Sequence, residues 1–119
     1  MTNQDVQIHP FEKDASRIEC AALNRHTNRI RLERLPDDPP IPLDETIQNM
    51  QNIPPYVDLK LWAAWNDDRS EVIALGQVVV ARREDNQHLA QFNITVLPEH
   101  RLKGLGRRLL GRIAEFATR

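Results

Sequence analysis

Two glycines, Gly104 and Gly106, stand with Arg101, Lys103, Arg107 and Arg108 between a run that alternates like a strand and one spaced like a helix. Phe92, Ile94 and Val96 alternate with Asn93 and Thr95, the period of a strand with two different faces, and Pro98 then stops ladder pairing. Leu105, Leu109, Leu110, Ile113, Phe116 and Ala117 recur on one side of a helix, with Arg107, Arg108, Arg112 and Glu115 opposite. A glycine-bearing turn that opens a helix leaves backbone N–H groups unpaired at the positive end of the helix dipole. It is therefore suited to hold a phosphate, with the glycines allowing close approach and the cations adding charge. A P-loop would need Gly-x-x-x-x-Gly-Lys-Ser/Thr, which is absent, and a dinucleotide fingerprint would need glycine where Leu109 stands.

The surviving pattern is Arg-x-x-Gly-x-Gly over residues 101–106, five residues after Val96 and followed by Leu109 and Leu110. It resembles motif A of the GNAT superfamily of N-acetyltransferases: a strand ending near Val-x-Pro, then Gln/Arg-x-x-Gly-x-Gly/Ala, then a leucine-rich helix. The resemblance implies backbone contacts from Ile94, Thr95 and Val96 to the pantetheine arm of acetyl-coenzyme A. It implies a pyrophosphate wrapped by Arg101, Leu102, Lys103, Gly104, Leu105 and Gly106, with Arg107 adding a helix-start donor. The implied reaction is direct attack of an amine on the thioester, with a strand N–H, that of Ile94, facing the developing oxyanion. Some members carry a glutamate base at the position that is Ala90 here, so no general base is assigned. Nor is a general acid, because Tyr56 is not the counterpart of the family's tyrosine.

The elements that must position this loop are read along the chain. Residues 6–9 suit a short strand ended by Pro10, and Asp14, Ala15, Ile18, Ala21, Ala22 and Leu23 suit a helix. Cys20 beside that face reads as a small buried hydrophobe. Residues 24–42 are polar and end in Pro-Asp-Asp-Pro-Pro-Ile-Pro, so they read as a loop with room for a short strand over residues 30–35. Because the family's segment between its first two helices often borders the acceptor site, Asp37, Asp38, Asp44 and Glu45 are candidate contacts for a cationic amine; as plain sequence they are equally turn and helix-start residues.

Leu43, Ile47 and Met50 give a second helix stopped by Pro54. Residues 59–64 alternate as a strand, residues 66–69 form a turn, and residues 71–81 form a strand in which Gly76 signals a bulge or a close backbone approach. Residues 82–87 connect to the strand that starts near Leu89. His88 and His100 lack partners at metal spacing, so no metal is expected.

The expected fold is thus α/β (α+β), a GNAT-like mixed, mostly antiparallel sheet flanked by helices in the order β-α-α-β-β-β-α. The chain has 119 residues, the size of one domain. By resemblance, residues 1–119 are a single GNAT-like domain incomplete at its C-terminal side, since the family continues with a fifth strand, a helix and two more strands. An open edge strand favours association, so a homodimer or an intrachain second GNAT domain is a possible partner. The one cysteine cannot form an intrachain disulfide, no leader pattern or bilayer-length apolar run is present, and the expected compartment is the cytoplasm. Residues 99–119 carry six basic residues against Glu99 and Glu115, yet the formal net charge of the chain is −1. The basic cluster holds no aromatics that could stack on bases, so neither nucleic acid nor membrane is an expected partner. Two functions stay open: an acyl-CoA-dependent N-acetyltransferase acting on an amine-bearing small molecule or peptide, and a GNAT-like interaction or structural module without catalysis.

Overall fold

The computed structural model describes residues 6–12, 14–54, 57–82 and 88–117. Strand β1 (Ile8–Phe11) is followed by helices α1 (Arg17–Arg34) and α2 (Leu43–Gln51), strands β2 (Val57–Trp65), β3 (Val72–Arg82) and β4 (His88–Val96), and helix α3 (Leu105–Ala117). The order is the one expected from sequence. The four strands pair antiparallel as β1-β2-β3-β4, with Leu61 opposite Gln77 and Gly76 opposite Ile94. The connection expected over residues 82–87 falls largely outside the described residues.

Strand alternation divides the core into two layers. Trp62 and Ala64 of β2 join Val78, Leu105, Leu109 and Ile113 beneath α3, where the Trp62 and Phe116 rings meet edge to face with centroids 5.9 Å apart. Leu61, Ala63 and Trp65 point the other way and join Cys20, Leu23 and Met50 beneath α1 and α2. Cys20 is buried as expected, and burial pushes its thiol pKa up. Gly76 is the close approach: a Cβ there would stand 3.3 Å from Leu109 Cβ and Cδ2. The register irregularity lies instead between Ala64 and Trp65.

Four sequence expectations need correction. The first strand is not ended by Pro10, which lies inside β1 opposite Trp62, a place open to proline because β1 is at the edge of the sheet. The polar segment after Leu23 is neither loop nor strand, because α1 continues through it to Arg34. Its polar residues have work on the helix surface: Asn28 Oδ1 accepts from Ile41 N at 2.8 Å, while Asn24 and Asn28 both donate to the Ile41 carbonyl at 2.9 and 3.0 Å. Only residues from 35 onward form the connection. The helix is also not started by Asp14. Ser16 is its N-cap, accepting from Glu19 N at 3.2 Å while the Glu19 carboxylate accepts from Ser16 N at 3.3 Å, a reciprocal capping box. Ile18, expected on the apolar face, is 80 % exposed. Finally, Leu110 turns outward from α3, leaving Leu105, Leu109 and Ile113 as its buried stripe.

Candidate functional site

The β4–α3 connection is built in three steps. Leu97, wholly buried, donates its N–H to Ile73 O at 2.9 Å and so closes the β3–β4 ladder. A single 3-10 turn over Pro98–His100 follows. The chain then passes through Leu102 at φ 63° and Gly104 at φ 88° before α3 begins. Leu102 is fully exposed, so the left-handed backbone there is imposed by the path of the loop and not by packing of the side chain. The first α3 hydrogen bond runs from Arg108 N to Gly104 O at 3.1 Å, so the N–H groups of Leu105, Gly106 and Arg107 have no intrahelical acceptor. A Cβ on Gly106 would meet no atom within 4 Å, although this glycine is partly buried and lines a cleft.

That cleft has a volume of about 490 Å³. It is bounded by Ile94, Thr95 and Val96 of β4, by His100, Arg101, Leu102, Leu105 and Gly106 of the connection, and by Ile30, Glu33 and Arg34 of α1. Of the ten residues singled out from sequence, seven line it; Lys103, Gly104 and Arg107 lie in the same connection but outside the lining. The β4 backbone is offered to it in a defined way. Ladder pairing through Leu97 means that Thr95 and Asn93 also direct their N–H and C=O groups toward β3, while Ile94 and Val96 direct theirs to the open edge. The Val96 carbonyl on that edge accepts from Arg101 Nε at 2.9 Å.

The charge of Arg101 is balanced within the protein. Its two terminal nitrogens donate to Glu33 at 2.6 and 3.0 Å, which lowers the Glu33 pKa and raises that of Arg101. A parallel pair sits one turn earlier on α1, where Arg29 donates to both oxygens of Glu99 at 2.7 and 2.9 Å. These charge-assisted bonds hold the Glu99 pKa at about 2, well below its ordinary 4.5. What the connection offers an anion is therefore chiefly its backbone: helix-start N–H groups, a dipole, and a glycine that leaves room for close approach. Such a cradle suits the diphosphate of a nucleotide-type ligand.

A second cleft, of about 250 Å³, lies along the α1 side of the sheet. His26, Thr27, Ile30, Arg31, Arg34 and Leu35 form one wall, Ile41 caps it, and Leu75, Gln77, Asn93 and Thr95 form the other. Ile30, Arg34 and Thr95 border both clefts, so the two adjoin. None of Asp37, Asp38, Asp44 and Glu45 lines either one; Asp38 pairs with Arg31 and Asp44 with Arg17, each at 3.3 Å. His26, Glu33, Arg34 and Asn93 were not singled out as site residues from the sequence. The first three could have been found only by continuing α1 past Leu23, from the heptad step between Leu23 and Ile30.

Among the described residues no helix is long and apolar enough to cross a membrane. No curated protein matches this sequence significantly. Solved structures do. Ribosomal-protein-alanine N-acetyltransferase from Brucella melitensis biovar Abortus 2308 superposes with a TM-score of 0.67 at 15% identity, covering 95% of this chain and 71% of the other. Glucosamine-6-phosphate N-acetyltransferase from Arabidopsis thaliana gives 0.64 at 13% identity, with 92% and 73% covered. A GNAT-family acetyltransferase from Staphylococcus aureus MU50 gives 0.62 at 15% identity, with 94% and 67% covered. Identities this low speak to the fold alone. Residues 21–119 match the acetyltransferase (GNAT) family, and that match spans the connection, both clefts and most of α1. The chain belongs to the GNAT acetyltransferase family.

Proposed function

We propose that residues 1–119 belong to one GNAT-like domain and act as an acetyl-CoA-dependent N-acetyltransferase or as its cofactor-binding portion, with the larger cleft taking the acyl donor and the smaller one the amine. The observation that carries this reading is the convergence, on one cleft of about 490 Å³, of an open strand edge and a helix start lined by Gly106. In this reading Leu105, Gly106 and Arg107 hold the pyrophosphate through backbone N–H groups, with Arg101, Leu102, Lys103 and Gly104 shaping the loop around it. The edge-facing groups of Ile94 and Val96 pair with the pantetheine amides, and Thr95 borders the arm. Acetyl-CoA supplies a thioester carbonyl that a neutral amine attacks. An oxyanion developing there is met by the Ile94 N–H. Among the described residues the smaller cleft is lined by Arg34 and by Arg31, the latter already paired with Asp38, and by no carboxylate. That charge favours an amine whose frame also carries an anionic group, in place of the purely cationic acceptor expected from the acids of residues 37–45.

The test is calorimetry with acetyl-CoA on the native chain and on Gly106→Glu. The substituted side chain has open space in front of it and an acid is favourable in the first helical turn, so the fold is retained. Saturable binding by the native chain, weakened at least about tenfold in the variant, is expected, a loss of about 1.4 kcal/mol. No binding to the native chain at about 1 mM acetyl-CoA, or equal binding by both, would sink the proposal.

A second reading, a GNAT-like module without catalysis, is favoured by Ala90, which leaves β4 without the family's glutamate, and by Glu33, which takes up the Arg101 charge. Acetyl-CoA binding without amine-dependent CoA release would support it.

A further inference from the structure

His26 is 2 % exposed, the one polar side chain fully buried among the described residues. Its Nδ1 lies 2.9 Å from the Val72 carbonyl and its Nε2 lies 2.8 Å from Thr95 Oγ1. A carbonyl can only accept, so Nδ1 carries the proton and Nε2 is left as the acceptor. The Thr95 hydroxyl then donates to Nε2. The result is an oriented chain, with the Val72 carbonyl fixing the tautomer, the imidazole as proton acceptor and a hydroxyl at its end. Thr95 stands on the wall shared by the two clefts and is next to Ile94, whose N–H faces the open edge. Its hydroxyl is thus where an amine entering the smaller cleft would meet an acyl group lying along β4.

We propose that Thr95 and His26 form the proton relay of this domain, Thr95 touching the amine and His26 acting through it as a positioning residue and proton sink. The proposal rests on the acyltransfer reading above. As the N–C bond forms, the nitrogen proton moves to Thr95 Oγ1 while the Thr95 proton moves to His26 Nε2. The C–S bond breaks with its electron pair on sulfur, and return of the proton by the same path gives the free thiol and a neutral imidazole. No carboxylate at position 90 is needed.

The charged groups around His26 are compatible with this role. On α1, Arg29 lowers its pKa, and Arg31 and Arg34 line the same cleft. Glu71 before β3 and Glu99 after β4 are both paired with Arg29, and the facing strand residues Leu75, Gln77, Asn93 and Thr95 are uncharged. With desolvation the largest influence on it, His26 is neutral at pH 7 and available as a base.

The test has two parts. Imidazole nitrogen NMR on the native chain should find Nδ1 protonated and Nε2 bare, with the Nε2 signal shifted in Thr95→Val and kept in Thr95→Ser. Amine-dependent CoA release should fall about a hundredfold in kcat for His26→Gln and Thr95→Val, with KM for acetyl-CoA held within about twofold and Thr95→Ser close to native. The acidic limb of the native pH profile should vanish in His26→Gln. A protonated Nε2 overturns the relay without any variant having to fold. So does a kcat within about threefold of native in Thr95→Val. Acetyl-CoA failing to bind the native chain would overturn the acyltransfer reading and the relay with it, whereas binding with an unaffected Thr95→Val overturns the relay alone.

Discussion

At Gly104 the backbone stands at φ 88°, a conformation that side chains rarely adopt, while nothing lies within 4 Å of where its Cβ would be. Gly106 has equal space but lies in α3, with a backbone any residue can take. The two glycines therefore answer to different demands, conformation at one and room beside the cleft at the other. Alanine separates them. Gly104→Ala should destabilise by about 1–2 kcal/mol, since left-handed backbone crowds the Cβ. Gly106→Ala should stabilise by up to about 1 kcal/mol through helix propensity. Urea denaturation of both variants checks this, and equal shifts of the same sign would refute the assignment. The pattern Gly-x-Gly was legible in the sequence; which glycine served which demand was not, because φ depends on how the loop leaves Leu97. Leu102 makes the same point, since no residue type there announces its positive φ.

Between elements, the decisive contact is that of α3 on β3. Gly76 lets Leu109, which is wholly buried, sit with its Cβ and Cδ2 3.3 Å from the position a Cβ would occupy. Because α3 carries the connection on its N-terminal end, this contact sets how close the cleft lies to the edge of β4. Gly76→Ala forces Leu109 and Ile113 to shift, at a cost of about 1–3 kcal/mol. Leu109→Ala opens a cavity costing about 2–5 kcal/mol. The two changes relieve one another, so the double variant should be more stable than the sum of the single costs, with a coupling of about 1 kcal/mol or more in a double-mutant cycle. Additivity would mean that the approach is not tight. A glycine in a valine-rich strand left a bulge or a close approach open, and the packing of Leu109 decides for the second. The length of α1 was not foreseeable in the same way: past Leu23 its sequence is almost wholly polar, and most of those polar residues are explained by partners outside the helix, among them Ile41, Thr95, Glu99 and Arg101. The wall of both clefts was hidden with them, whereas the strand, loop and helix of the connection, being contiguous, could be read directly.

Over the whole molecule, one stripe of α1 holds the functional connection to the rest. His26, Arg29 and Glu33 bond respectively to Thr95, Glu99 and Arg101, so the same helix face grips β4, the turn after it and the loop. These ties predict how stability depends on pH. His26 has its pKa lowered from an ordinary 6.5, chiefly by burial, so below that value the unfolded chain binds a proton that the folded one resists. Its contribution is complete above pH 6.5 and is lost as pH falls. Glu99 has its pKa lowered from 4.5 to about 2 by Arg29, so its contribution is complete above pH 4.5 and lost on the way down to about 2. Both slopes have the same sign, but they occupy different windows. Urea midpoints measured from pH 8 to 2 should decline in two stages. His26→Gln should flatten the upper stage while lowering stability at neutral pH by about 1–3 kcal/mol, for its lost buried hydrogen bonds. Glu99→Gln should flatten only the lower stage, and by no more than about 1 kcal/mol, because the pair is half exposed and screened by salt. If His26→Gln left the decline below pH 6.5 unchanged, the imidazole would not be held neutral, and the grip of α1 on the strand that borders both clefts would not be a titratable one.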